Sequence, residues 1–191
     1  MTRFKICGLR DPANAQVAVE SGANFIGMVF VPGVRREITP DRALEIVAAV
    51  RAKLGSKGPR LVGLFANQTL DDVNNIVRRY GLDMVQLCGD EPPEYWARIE
   101  ADVIKQIKVW DDSLDDTLAS VKTVVEAGHT AMLDKYEKGA LGGTGLTFDW
   151  DIAREVSERF PIMLAGGLTP DNVARAIAKV SPWGVDVSSG V

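Results

Sequence analysis

The sequence predicts an α/β chain that closes into a single-domain (β/α)8 TIM barrel, and three observations carry that prediction. Eight short apolar runs rich in β-forming residues are spread from one end of the chain to the other. Amphipathic stretches at helical spacing lie between them. Helix-start and helix-stop residues punctuate the alternation at regular intervals. No linker or low-complexity tract divides residues 1–191, so one domain is expected. The 191 residues leave about 24 for each strand–helix unit, a compact version of a barrel that usually needs ~250. An open doubly wound sheet is the competing architecture, but the strands show no evident switch point and are short enough to close.

Taken in order, the first run, Arg3–Cys7, precedes Asp11-Pro12, an N-cap residue before a proline at the first helical position. Gly22, suited to a left-handed helix stop, precedes the second run, Asn24–Phe30. Thr39-Pro40 opens the second helix, whose Ala43–Val50 stretch is apolar at helical spacing. The third run is Arg60–Ala66, and Thr69 with Asp72 forms a loose capping-box pattern after it. Gly81 ends that helix before the fourth run, Asp83–Leu87, and Asp102–Val109 is the fifth. Gly128 precedes the sixth, His129–Asp134. Pro161–Ala165 and Trp183–Ser188 are the last two, with Thr169-Pro170 opening a helix between them. Such alternation implies right-handed crossovers and a parallel sheet covered by helices. The sequence stops at Val191, just past the eighth run, so an eighth helix is absent from it. A parallel sheet is normally buried on both faces, so an apolar groove is expected outside the first and eighth strands.

Composition narrows the function. Apolar and charged residues make up 46% and 25%, as in an ordinary globule, and the formal charge of −4 comes without any Lys/Arg run. A nucleic-acid partner is therefore not expected, and an anionic small substrate needs a local positive site. The only cysteines, Cys7 and Cys88, are far apart and support neither a disulfide framework nor a cysteine zinc cluster. No signal peptide or long apolar span is present, so a cytoplasmic protein without membrane partners is expected.

In a barrel, function gathers where strands end and the following loops begin. The sole histidine, His129, opens the sixth run, whereas Asp134 closes it, roughly 17 Å further at about 3.3 Å per residue. His129 is thus expected at the opposite, structural face, which removes a histidine base, triad or metal site. Proton transfer is left to thiols and carboxylates. Cys7 ends the first run beside Gly8; a strand cysteine is commonly a small buried hydrophobe, but alternation puts Lys5 on its face, and an ammonium there favours a thiolate. Asp134 is either a loop cap or an acid held near the working pH by burial. Gly166-Gly167, and Ser188-Ser189-Gly190 after Asp186, end the seventh and eighth runs with glycines and hydroxyls that suit a phosphate dianion. Arg35-Arg36, in the loop after the second run, is either a solvated pair or a clamp for a second anionic group. The long loop from Lys135 to Thr147 contains Gly139, Gly142, Gly143 and Gly145, and reads as a lid with hinges.

These segments resemble one family. Phe4-Lys5-Ile6-Cys7-Gly8 resembles the opening strand of phosphoribosylanthranilate isomerases. Gln86-Leu87, Leu133-Asp134, Gly142-Gly143-Thr144-Gly145 with Phe148-Asp149-Trp150, Gly166-Gly167-Leu168 with Asn172-Val173, and Asp186-Val187-Ser188-Ser189-Gly190 follow in the family's order along the whole chain. The resemblance implies a (β/α)8 barrel that performs an Amadori rearrangement in tryptophan biosynthesis. The substrate would be N-(5-phosphoribosyl)anthranilate, a small anionic phosphosugar, rearranged without metal or organic cofactor by a monomer or homodimer. It further implies that Asp134 is the general acid on the ribose ring oxygen and Cys7 the general base at C2′. Arg36 would hold the anthranilate carboxylate, and Gly166, Gly167, Ser188, Ser189 and Gly190 the phosphate. Asp186 and Lys5 would support the site. Cys88 stands where the family usually has histidine, as a substrate-side contact. Two other readings are a histidine-pathway aminoaldose isomerase, which resembles this fold but has aspartate where Cys7 stands, and a non-catalytic phosphometabolite-binding barrel.

Overall fold

The computed structural model describes residues 1–54, 58–110, 113–135 and 149–190. Its strands lie in chain order, β1 to β8, as a closed barrel, so the doubly wound alternative is set aside. The strands are β1 (Arg3–Ile6), β2 (Phe25–Val29), β3 (Arg60–Phe65), β4 (Met84–Leu87), β5 (Asp102–Val109), β6 (Thr130–Lys135), β7 (Ile162–Leu164) and β8 (Gly184–Val187). The helices are α1 (Pro12–Glu20), α2 (Pro40–Leu54), α3 (Leu70–Tyr80), α4 (Pro93–Trp96), α5 (Leu114–Glu126), α6 (Trp150–Ser157) and α7 (Val173–Val180). Every expected run becomes a strand, most of them a residue shorter at one or both ends. The sixth is displaced by one residue, so Lys135 is its last member and His129 lies just before it. Packing gathers the chain into two compact units, Lys5–Val103 and Met1–Phe4 with Ile104–Val191.

In the Lys5–Val103 unit, β1 to β4 pair in parallel, with Ile6 opposite Ile26, Ile26 opposite Leu61 and Val62 opposite Met84. β2 and β4 are buried along their whole length, as a covered parallel sheet requires. The helix starts follow the sequence signals. The Asp11 carboxylate accepts from the Ala13 and Asn14 amides at the head of α1. Thr69 caps α3 by accepting from Asp72 N (3.2 Å), while its hydroxyl donates to Asp72 Oδ2 (2.6 Å). That is a hydroxyl–carboxylate clasp rather than a reciprocal capping box, because Asp72 takes the hydroxyl proton instead of the Thr69 amide. The strand beginnings are tied by charge: Asp83 Oδ2 accepts from Leu61 N at 2.7 Å and Arg51 Nη2 at 2.6 Å, and Arg60 Nη2 donates to Asp102 at 2.6 Å.

In the other unit, β5 to β8 are parallel, with Lys108 opposite Asp134, Leu133 opposite Leu164 and Leu164 opposite Val185. Arg3 donates its amide to Trp183 O (3.1 Å) and lays its guanidinium 4.6 Å from the Trp183 ring centroid. His129 precedes β6 at the end opposite Asp134, with its amide on Val124 O (3.1 Å), in the structural position expected of it. One expectation fails. Thr169-Pro170 does not open a helix, because α7 begins at Val173. The Asn172 side chain folds back, accepting from Thr169 N (2.9 Å) and donating to Gly167 O (2.9 Å). These local bonds make a turn that competes with helical continuation, so the helix starts later than the proline suggested.

Gly27, in the middle of β2, is set by contact rather than by conformation. A β-carbon there would lie 3.0 Å from Cys7 Sγ and 3.2 Å from both Cys7 Cα and Lys5 Cε. The backbone atom cannot yield without moving β1. Gly27→Ala is therefore expected to cost about 1–3 kcal/mol, the range for overpacking a filled core. Denaturant titration checks this, and an unchanged midpoint at unchanged slope would refute it.

Candidate active site

The Lys5–Val103 unit brings four of the expected residues to the ends of β1 and β4 and the loop after β2. Lys5 is 0% exposed, and its ammonium donates to Gln86 Oε1 at 2.7 Å. A buried cation is tolerated only with such a partner. Gln86 Nε2 then donates to Cys88 Sγ at 3.4 Å, so one amide links the lysine to the second thiol. Cys7 is 4% exposed, and its sulfur lies with the Lys5 chain over the empty side of Gly27, the shared face that strand alternation predicts. The amides of Gly8 (2.9 Å) and Leu9 (3.1 Å) both donate to Gly27 O, which turns the chain sharply after Cys7.

The loop after β2 is shaped by its own polar groups. Glu37 Oε2 accepts from Gly33 N (2.7 Å), and Ile38 N returns to Val29 O (2.9 Å). This fold-back delivers Arg36, half-buried, to the end of β1, where Nη1 donates to Cys7 O at 3.3 Å. Arg35 is exposed and offers only its carbonyl, to Arg10 Nη1 at 3.1 Å. The arginine pair thus divides: one member faces Cys7 and the other solvent. Beyond β3 and β4, Asn67 takes a left-handed φ of +58° and accepts from Asp90 N at 2.8 Å. Its amide donates to Glu91 Oε1 (2.8 Å), and Trp96 Nε1 donates to Glu91 O (2.8 Å). Tyr95 OH donates to Gln68 O (3.1 Å). Burial, and then the Glu91 and Asp72 carboxylates, push the Tyr95 phenol up to about 12.

In the other unit Asp134 is 7% exposed at the end of β6. Its Oδ2 accepts from Gln106 Nε2 (2.7 Å) and its Oδ1 from Lys135 N (2.9 Å). The carboxyl group is thus buried and also caps the amide that follows it. Gly166 and Gly167 both adopt left-handed φ, +84° and +63°, which a side chain would resist. A β-carbon on Gly190 would run into the Leu168 carbonyl and lie 3.1 Å from Thr169 Cα. The loops after β7 and β8 are therefore pressed together, glycine against backbone. Ser188 is half-buried and Ser189 exposed beside them, and Asp186 is buried within β8. The late start of α7 leaves this corner to glycine backbone and serine hydroxyls rather than to an immediate helix terminus. The expected lid glycines, Gly139, Gly142, Gly143 and Gly145, lie outside the described residues.

Sequence reasoning missed Gln106 and Gly27. Each left a signal: an amide between the aliphatic residues and lysines of Val103–Val109, and a glycine inside a strand, which marks close approach. Among the described residues no helix is long and apolar enough to cross a membrane.

Comparison with known proteins bears on the family and the fold. The family model for N-(5′-phosphoribosyl)anthranilate (PRA) isomerase matches residues 4–191. The N-(5′-phosphoribosyl)anthranilate isomerase of Geobacter metallireducens is 44% identical over 191 residues, covering 100% of this chain and 90% of that protein. That of Dehalococcoides mccartyi is 41% identical, covering 100% of this chain and 88% of its own. Among solved structures, the Thermotoga maritima phosphoribosyl anthranilate isomerase superposes with a TM-score of 0.85 at 34% identity, covering 100% of this chain and 89% of that one. A phosphoribosyl anthranilate isomerase in complex with reduced 1-(o-carboxyphenylamino)-1-deoxyribulose 5-phosphate superposes at 0.82 and 33%, with the same coverage.

The Tyr95 environment has a pH consequence. A phenol raised to about 12 favours the neutral form in the folded protein, so its contribution is present below the ordinary value of 10.0 and lost as pH climbs toward 12. Ultraviolet titration should show a tyrosine ionising late in the parent and missing in Tyr95→Phe. A Tyr95→Phe curve retaining that late phase would refute the assignment.

Proposed function

This chain belongs to the N-(5′-phosphoribosyl)anthranilate isomerase family, and from that premise we propose that it performs the family's Amadori rearrangement in tryptophan biosynthesis. The substrate is N-(5-phosphoribosyl)anthranilate and the product 1-(2-carboxyphenylamino)-1-deoxyribulose 5-phosphate. The observation that carries this reading is the placement of proton-transfer groups. A thiol and a carboxyl group stand buried at the ends of β1 and β6, while the only histidine in the sequence lies just before β6. The neighbour bound to the reduced form of that product supports the same substrate class.

Asp134 gives a proton to the ribose ring oxygen, the bond from that oxygen to C1′ breaks, and the nitrogen lone pair completes a Schiff base. Cys7, as thiolate, takes the proton from C2′, and the released electron pair flows to the nitrogen. The resulting enol-amine becomes the ketone when C1′ gains a proton and the C2′ hydroxyl gives one up. Arg36 holds the anthranilate carboxylate, its head already turned to Cys7 by the hydrogen bond to the Cys7 carbonyl. Gly166, Gly167, Ser188, Ser189 and Gly190 receive the phosphate, and Asp186 supports them. Lys5 favours the thiolate of Cys7. Cys88 borders the substrate. Residues 1–191 act as one barrel domain in a soluble cytoplasmic enzyme, monomeric or paired as in the dimeric Thermotoga maritima relative.

A turnover assay with the anthranilate substrate tests the activity itself. Cys7→Ala should abolish turnover while binding the reduced product analogue within about tenfold of the parent, because a base acts in the transition state. Near-normal turnover would remove Cys7 from the mechanism. Arg36→Ala should weaken the analogue by about 1.5–3 kcal/mol, as expected for a charged hydrogen-bond contact. An analogue without the carboxylate should lose little, and equal losses for the two would place Arg36 elsewhere.

A further inference from the structure

We propose that Gln106 is a positioning residue for the Asp134 carboxyl group, serving it in both protonation states; the inference rests on the reading of Asp134 as the acid. Gln106 lies on β5, 6% exposed, with its amide nitrogen 2.7 Å from Asp134 Oδ2. Among the described residues its own oxygen, Oε1, is buried without a hydrogen-bond partner. On the far side of the carboxyl group, Lys135 N donates to Oδ1 at 2.9 Å. A backbone amide only donates, so it keeps Oδ1 an acceptor whatever the state of the acid. The transferable proton therefore belongs on Oδ2, the oxygen that Gln106 faces.

An ionised carboxylate accepts only, and the amide nitrogen is then the end that must face it. Once Oδ2 carries a proton it becomes a donor, and the amide can answer by a half-turn that exchanges nitrogen for oxygen with little change of shape. Oε1 then gains a partner. A serine hydroxyl reaches less far, and a lysine or arginine can serve only the ionised form. A glutamine that merely filled space would leave its oxygen unexplained, since an apolar chain of the same length packs without an orphaned polar atom.

The test uses the full chain with Gln106→Met, Gln106→Glu and Asp134→Asn. Methionine matches glutamine in length and removes the unpaired oxygen, so Gln106→Met should melt no lower than the parent. Its kcat should fall by about tenfold or more, while KM and the affinity for the reduced product analogue stay within about threefold. Gln106→Glu keeps the length and an oxygen but loses the N–H donor, and its kcat should fall as well. Parental kcat in either variant overturns the inference, as does a loss of kcat matched by equal losses of analogue binding and melting temperature. Asp134→Asn separates the two claims. If it turns over normally, the acid reading fails; if it is inactive while Gln106→Met is unimpaired, only the role of Gln106 fails.

Discussion

A positive charge with no access to water organises the first half of this barrel. Lys5 is fully buried, so its ammonium needs an acceptor, and Gln86 provides one from β4. That bond requires the ends of β1 and β4 to keep their positions around β2 and β3. It also explains why β2 carries a glycine at its centre, because the Lys5 chain and the Cys7 sulfur occupy the volume that a side chain at Gly27 would fill. The thiol is thereby held between a strand that cannot move closer and a lysine that cannot leave. The location of Cys7 is less a property of β1 alone than of three strands accommodating one buried cation.

The two ends of the strands do different work. Ion pairs such as Arg51–Asp83 and Arg60–Asp102 collect near the strand beginnings, where they are partly or largely exposed. Pairs of this kind add little stability each, but they tie strand starts to helices and neighbours without touching the chemistry. At the strand ends Lys5, Gln86, Gln106 and Asp134 are buried, and side-chain amides serve Lys5 and Asp134 as partners. Burial there strengthens each hydrogen bond and makes each misplaced group expensive. Such groups stay ordered through the partners they do have.

Two neutral amides provide much of that order. Gln86 joins Lys5 to Cys88, and Gln106 grips Asp134. An amide offers a donor and an acceptor without adding charge, so it can fix an ionisable neighbour without committing that neighbour to one ionisation state. Cys88 fits the same pattern. Its sulfur accepts the Gln86 proton, so the amide ties Lys5 to a small side chain.

The sequence by itself determined the alternation, the strand count and most helix starts, because these depend on local chemistry: apolar periodicity, N-cap side chains and prolines at first helical positions. It also singled out Cys7, Asp134 and the glycine pair, since a lone thiol or carboxylate closing an apolar run is visible without coordinates. Tertiary structure decided which polar groups meet. Nothing local says that Arg36 rather than Arg35 turns to Cys7, that Lys5 finds Gln86, or that Gln106 reaches Asp134 across to the next strand. It also corrected the start of α7, where Asn172 bonds back to Gly167 and Thr169 and outcompetes the proline signal. Those partners are set by strand register and loop closure. Both arise from packing distant segments together, and neither leaves a periodic trace in the chain.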